Sequence, residues 1–137
     1  MESNFKLEIL TPTREFLSQQ VEAITFTALD GEITVLKDHA PMIAVLEIGE
    51  MKIKVDGEWK NAFNSEGFVE VRPDEVLIFS QACEWPDEID VARAERAKEH
   101  AVELLRSKQS VFEHRYTQIS LARAMMRLQV SGKNQNI

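Results

Sequence analysis

Ile89-Asp90-Val91-Ala92-Arg93-Ala94 lies where the sequence changes its period. Before Trp85 and Pro86, apolar residues alternate with polar ones; after them, and as far as Val130, they recur at spacings of three and four. That change is the mark of strands giving way to helix. The helical stretch is broken only by the polar run Ser107-Lys108-Gln109-Ser110, so two helices of similar length are expected to fold back as an antiparallel hairpin. Asp90 suits the N-cap of the first helix. Ala94, Ala97, Ala101 and Leu104 would form its apolar stripe, facing Phe112, Tyr116, Ile119, Ala122 or Arg123, and Met126 of the second.

A hairpin with its midpoint near Gln109 brings Arg93 level with the interval from Arg123 to Arg127, and these two arginines, four apart, share a face. Three guanidiniums gathered beside Asp90 repel one another unless an acidic group or a bound anion lies among them. The sequence thus proposes a small anion site between two helices. Beside it stands the commoner meaning of such a pattern, a solvated arginine face with Asp90 serving only as a cap. The seam on the first helix is thin. Three alanine methyls contribute ~2.4 kcal/mol, and a ligand at a hundred times its dissociation constant stabilises the form it binds by about 2.7 kcal/mol. An anion bridging the helices could therefore decide whether they stay together.

The 137 residues suffice for one good core, or for a compact domain with an appendage, and the change of period favours the latter. We place a sandwich in residues 1–84 and the hairpin in residues 85–137. The net charge of −7 is unevenly spread: residues 1 to 83 carry 7 Lys and Arg against 15 Asp and Glu, and residues 84 to 137 carry 9 against 8. From Lys108 onward Glu113 is the only acid, facing Lys108, Arg115, Arg123, Arg127 and Lys133. The second helix is a basic arm on an acidic body. Its expected partner is an acidic protein surface, since nucleic acid suits neither the acidic body nor the lack of interleaved aromatic and basic residues. No apolar run has the length of a membrane span, and the N-terminus lacks a signal-peptide pattern. Cys83, the single cysteine, sits in an apolar stretch and reads as a buried structural thiol. The histidines His39, His100 and His114 are scattered without the spacing of metal ligands.

Ahead of the period change, Phe5, Leu7 and Ile9 alternate with Lys6 and Glu8, a half-buried strand ended by Pro12. Ile24, Phe26 and Ala28 alternate with Thr25 and Thr27 and lead to the turn signal Asp30-Gly31. Ile33 to Leu36 and Ile43 to Leu46 flank a loop around His39-Ala40-Pro41. Met51, Ile53 and Val55 run into a second turn, Asp56-Gly57, and the chain returns from Trp59 to Phe63. Gly67 to Val71 and Val76 to Ser80 follow, about ten short strands in all and the pattern of an all-β sandwich. The fold class is α+β, an N-terminal all-β sandwich followed by a two-helix hairpin. No set of nucleophile, base and oxyanion donors can be assembled, so no catalytic residue is assigned.

These residues resemble the epsilon subunits of bacterial F-type ATP synthases over Phe5 to Val130, nearly the whole chain. The likeness is carried by Asp30-Gly31-Glu32-Ile33, His39-Ala40-Pro41, Gly67-Phe68-Val69-Glu70-Val71 with Pro73, Ile89-Asp90-x-x-Arg93-Ala94 and Arg123-Ala124-Met125-x-Arg127-Leu128. It implies a non-catalytic, peripheral subunit on the cytoplasmic face of the bacterial inner membrane, with no cofactor required. Its sandwich would touch the gamma subunit and the c-ring, where Glu32 is the candidate contact. Its helices would inhibit ATP hydrolysis at the alpha and beta subunits of the head, with Arg115, Arg123 and Arg127 meeting an acidic segment of beta. The rival from another class is a free-standing sandwich module whose basic tail recruits a partner.

In versions of the family that bind ATP as a regulatory ligand, the resemblance assigns the nucleotide to Glu84, Ile89, Asp90, Arg93, Ala94, Arg123 and Arg127, leaving Mg2+ open. The arginine forks would meet phosphates, and Ile89, Asp90 and Ala94 would line the base. Those versions carry another arginine where this chain has His100, about 10 Å along the helix from Arg93. Losing one charge-assisted contact costs ~1.5 to 3 kcal/mol, or roughly ten to a hundredfold in affinity. Within the sandwich, Thr34 stands for a usual glycine, Lys37-Asp38 for a Pro-Gly turn, and Glu66 for a glycine before Gly67.

Overall fold

A computed structural model describes residues 3–135, with side chains as far as Gly132; the Lys133 side chain thus lies outside the described part of the basic arm. The chain divides after Trp85 into two compact units, one residue beyond the boundary drawn from sequence.

The first unit holds ten strands among the described residues: β1 (Phe5–Leu10), β2 (Glu15–Val21), β3 (Ala23–Ala28), β4 (Gly31–Val35), β5 (Met42–Leu46), β6 (Gly49–Val55), β7 (Glu58–Asn64), β8 (Gly67–Val71), β9 (Glu75–Ser80) and β10 (Cys83–Glu84). They form one sheet in the order β10-β7-β6-β3-β5-β8-β9-β1-β2, with β4 paired to β3 off that path. Strand β3 is the corner. One of its edges pairs with β4 along its length, while the other gives Ala23–Thr25 to β6 and Ala28 to β5. The sheet thereby doubles over a core that includes Leu7, Ile9, Ile24, Phe26, Leu46, Met51, Ile53, Val69 and Ile78. These are the inward positions of the alternating pattern.

The turns follow from local chemistry. Asp56 and Gly57 both take positive φ, 52° and 79°, between the paired residues Val55 and Glu58, the conformation a two-residue hairpin needs. The first hairpin turns at Leu29 and Asp30, one residue earlier than Asp30-Gly31 suggests. Gly31 already pairs with Ala28 there, at φ 121°. Asp38, standing where the family's glycine was noted, adopts φ 62°. Aspartate tolerates that left-handed conformation better than most residues do. Thr34 earns its position by a hydroxyl contact of 2.8 Å with Thr25.

Close approach dictates Gly67. A β-carbon there would collide with the carbonyl oxygen of Phe79 on the neighbouring strand. Cys83 is buried as expected, and its thiol is pushed up to about 11, chiefly by burial.

The second unit contains a 3-10 turn (Pro86–Glu88), α1 (Val91–Leu105) and α2 (Val111–Gln135), with the two helices packed on each other. Asp90 is the N-cap of α1, accepting from the Arg93 N–H at 3.0 Å. Ser110 caps α2: its hydroxyl accepts from the Glu113 N–H and donates to the Glu113 carboxylate, both at 3.1 Å, a variant of the capping box. The helices are not of similar length. The first has 15 residues and the second 25, because no glycine or proline interrupts the sequence between Ser110 and Gly132.

The hairpin seam also differs from expectation. On α1, Ala94 and Ala101 are buried but Ala97 is exposed; on α2 the buried residues are Thr117, Ala124, Val130 and Ser131. Phe112, Tyr116 and Ala122 lie outside it. Thr117, Leu121, Ala124, Leu128 and Ser131 are spaced four, three, four and three, and so are Phe112, Tyr116, Ile119, Arg123 and Met126. Two stripes on one helix satisfy the same period. The smaller-residue stripe prevails, since alanines on α1 let the helices approach only a partner of matching small size.

Gly67→Ala should lower the unfolding free energy by at least about 2 kcal/mol, the cost of overpacking against backbone. Urea denaturation would register this as a lower midpoint with unchanged slope, and a loss under 0.5 kcal/mol, roughly the ceiling for an unremarkable surface change, would show that β8 and β9 can separate freely. Cys83 makes a second expectation. Its raised value means that the unfolded chain sheds the thiol proton near the ordinary 9.0 while the folded chain holds it to about 11. The corresponding stability is present below pH 9 and lost as the pH rises through 11. Wild type should therefore lose stability more steeply than Cys83→Ala between these values, and parallel curves would contradict the assignment.

Candidate functional site

The outer face of the sandwich is apolar where solvent would favour polar residues. Across β5, β8, β9 and β1 the register aligns Val45, Phe68, Phe79 and Leu10 in one row and Ile43, Glu70, Leu77 and Glu8 in the next. Ile43 is 76% exposed, and Val45 and Phe68 are about half exposed. Phe68 stacks on Phe79 with ring centroids 4.8 Å apart, which holds both rings in place. At the end of the first row a groove of about 370 Å³ opens, lined by Leu10, Pro12, Phe68 and Phe79 among others, with Glu66 at its side.

The rim of this face is charged. Arg72 bridges Glu70 at 3.2 Å and Glu75 at 3.4 Å, and the hydrogen bond to Glu70, more than any other contact, raises the guanidinium above its ordinary value. An apolar row, Val45 to Leu10, bordered by a row in which Glu70 and Glu8 alternate with Ile43 and Leu77, is the form of a protein-docking surface. The sequence carried a signal for it that alternation alone passes over: Met42-Ile43-Ala44-Val45-Leu46 is apolar at every position, the composition of a strand covered on both faces.

Glu32, the sequence candidate for the c-ring contact, is exposed on β4 beside the Leu29-Asp30 turn, opposite Thr27. The turn residue Leu29 is itself 67% exposed. Glu84 is half-buried on β10, paired with Phe63, in the sandwich unit.

The other nucleotide candidates belong to the helical unit. Asp90 and Arg93 are joined through the cap, with both side chains exposed, while Ile89 and Ala94 are buried. His100 is exposed two turns along α1. Arg123 and Arg127 are half-buried, one turn apart on α2, and each already engages a neighbour. The loop between the helices, Arg106 to Ser110, is centred on Lys108; Arg93 lies fifteen residues before that centre and Arg123 fifteen after it. Arg115 is exposed near the start of α2. Among the described residues no group of three or more His, Cys, Asp or Glu could hold a metal ion, and no helix is long and apolar enough to cross a membrane.

Two family descriptions together account for nearly the whole chain. Residues 4–86 match the ATP synthase Delta/Epsilon chain beta-sandwich domain, and residues 87–132 match its long alpha-helix domain. The chain belongs to the ATP synthase delta/epsilon family. Its relatives include the ATP synthase epsilon chain of Caldanaerobacter subterraneus subsp. tengcongensis, 49% identical with all of both chains covered. The epsilon chain of Ruminiclostridium cellulolyticum is 40% identical over 96% of this chain and 98% of that one. Similar folds occur in the Euglena gracilis mitochondrial ATP synthase, with TM-score 0.71, 21% identity and coverage of 96% of this chain and 79% of the other. A chain of the Tetrahymena thermophila central stalk and c-ring gives TM-score 0.68 at 13% identity, covering 93% and 96%. Family membership makes this a non-catalytic subunit.

The cap of α1 can be tested apart from any ligand. Asp90→Ala should remove about 1 kcal/mol from the start of the helix, read as faster amide exchange at Arg93 and Ala94. Unchanged exchange at these two positions would leave the Asp90 carboxylate without a structural role.

Proposed function

We propose that this chain is the epsilon subunit of the central stalk of a bacterial F-type ATP synthase, linking rotation of gamma and the c-ring to the catalytic head. Its peripheral place on the cytoplasmic face of the inner membrane comes through that complex. The observation that carries the proposal is the apolar outer face of the sandwich, from Ile43 and Val45 to Phe68 and Phe79, with its adjoining groove. An exposed patch of this kind is stable in solution only at a cost and is relieved by a protein partner. Gamma is the proposed partner for that face, and the Glu32 turn is proposed to meet the c-ring. A basic α2 on an acidic body supports a second contact, with Arg115, Arg123 and Arg127 reaching an acidic surface of the beta subunit and restraining ATP hydrolysis.

ATP is the proposed regulatory ligand of the helical unit. Arg93 on α1 and Arg123 and Arg127 on α2 would supply guanidiniums to the phosphates, and the thin alanine seam lets a bridging anion bias the pairing of the helices. His100 offers an imidazole in place of a permanent charge and should weaken the site.

Removing residues 86–137, which lie outside the sandwich core, should leave the synthase assembled while its ATP hydrolysis rises several-fold; an unchanged rate would end the inhibitory reading. In calorimetry of the isolated chain, saturable ATP binding should disappear in Arg93→Ala and tighten about tenfold or more in His100→Arg, the worth of one charge-assisted contact. No heat up to millimolar ATP from either wild type or His100→Arg would leave the arginines to the inhibitory contact alone.

A further inference from the structure

The sheet runs from β10 at one end of its order to β2 at the other. Among the described residues these two strands share no ladder, and side chains join them instead. Arg14, in the turn ahead of β2, donates from Nη2 to the Cys83 carbonyl oxygen at 3.0 Å. Its guanidinium carbon lies 5.2 Å from the centre of the Phe16 ring. Phe16, buried on β2, stacks in turn on Trp85, with centroids 4.6 Å apart and planes at 29°. Thr11 holds Arg14 in place, its hydroxyl accepting from the Arg14 N–H at 3.2 Å and donating to the Arg14 carbonyl at 3.1 Å.

Without these contacts β10 has little to keep it in place. It is two residues long and pairs with Asn64 and Phe63 of β7 at an edge of the sheet, and so short a ladder opens readily. Just upstream the chain is secured more fully. The Ala82 N–H donates to the Ser65 hydroxyl at 2.7 Å, while the Ala82 carbonyl accepts from the Ser65 N–H at 2.9 Å and from the Ser80 hydroxyl at 2.8 Å. Just downstream, Pro86 has no N–H with which to extend the ladder. The residues whose attachment depends on Arg14 and Phe16 are therefore Cys83, Glu84 and Trp85.

We propose that Arg14, Phe16 and Trp85 form a clasp that sets where the sandwich stops, and hence the length of the connector leading to the helical unit. With the clasp closed, the connector ahead of α1 is five residues, Pro86 to Asp90; with it open, β10 leaves β7 and the connector grows to eight, Cys83 to Asp90. A tethered element meets its target at an effective concentration that falls roughly as the −3/2 power of tether length, so opening dilutes the helical unit about twofold at any surface it contacts. The clasp thereby tunes how strongly the helices restrain hydrolysis. That consequence rests on the inhibitory reading given above, whereas the clasp itself does not.

The experiment uses the full chain, alone and in the assembled synthase, carrying Arg14→Gln at an exposed position or Phe16→Leu, which keeps an apolar side chain in the core. Trp59→Phe in the background leaves Trp85 as the only tryptophan. In the isolated chain both variants should raise acrylamide quenching of Trp85 about twofold. A glutamyl endopeptidase should cut the wild type first after Glu88, exposed in the connector, and should cut the variants after Glu84 about tenfold faster than it cuts the wild type there. In the synthase, hydrolysis should rise about twofold, short of the rise on removing residues 86–137. Unchanged quenching, or cleavage after Glu84 no faster in the variants, overturns the proposal. So does unchanged hydrolysis in the variants when removal of residues 86–137 raises it. If that removal leaves hydrolysis unchanged, the inhibitory reading fails, and the cleavage pattern alone upholds or overturns the clasp.

Discussion

Strand β3 must satisfy its backbone on two sides with three different neighbours, and the sandwich depends on how it does so. Its edge toward β4 is complete, whereas the opposite edge is shared between β6 at one end and β5 at the other. A strand pairing this way cannot lie in a flat sheet. The chain bends around Ile24 and Phe26, both fully buried, and the two halves of the sheet come face to face with the core between them. From that bend follow the inward placement of Leu7, Ile9, Val69 and Ile78 and the outward placement of Ile43, Val45 and Phe68, which makes the second group available to a partner.

The two units are built to different standards of cohesion. The sandwich encloses large side chains such as Phe26, Phe63, Leu7 and Met51 with almost no exposure. The helical pair buries mainly alanine, threonine and serine, each contributing a fraction of what a leucine would. Local opening concentrates where buried apolar surface is small, so the helices are the part of this chain whose arrangement a ligand or neighbour can most readily bias. The arginines belong to that part.

Much of the fold was legible because the pattern and the physics pointed the same way. Alternation located the strands, Asp56-Gly57 located a turn, and Asp90 located the helix start. The helix seam was misjudged because apolar size is a poor guide when the facing helix is lined with alanine; close packing then selects Thr117 and Ala124 over Phe112 and Tyr116. The exposed apolar face escaped notice for the opposite reason, since a strand that is apolar on both sides is easily taken as wholly internal. Of the arginine set, sequence spacing conveyed which helix each belongs to, Arg93 on α1 and Arg123 and Arg127 on α2. The burial of Ala94 followed from the stripe, whereas that of Ile89, which precedes the helix, did not.

The parallel pairing of β1 with β9 has a bearing on how the chain comes into being. Phe5–Leu10 lies against Glu75–Ser80, so β1, once it leaves the ribosome, lacks this neighbour until some seventy more residues have followed. Closure is non-local and correspondingly slow. During that interval the edge of β1 is open to any extended segment that passes, and β2, its antiparallel neighbour, can guard only the other side. The charges of Lys6 and Glu8 on this strand, one exposed and one half-buried, then serve a temporary purpose, discouraging unwanted strand addition until β9 arrives.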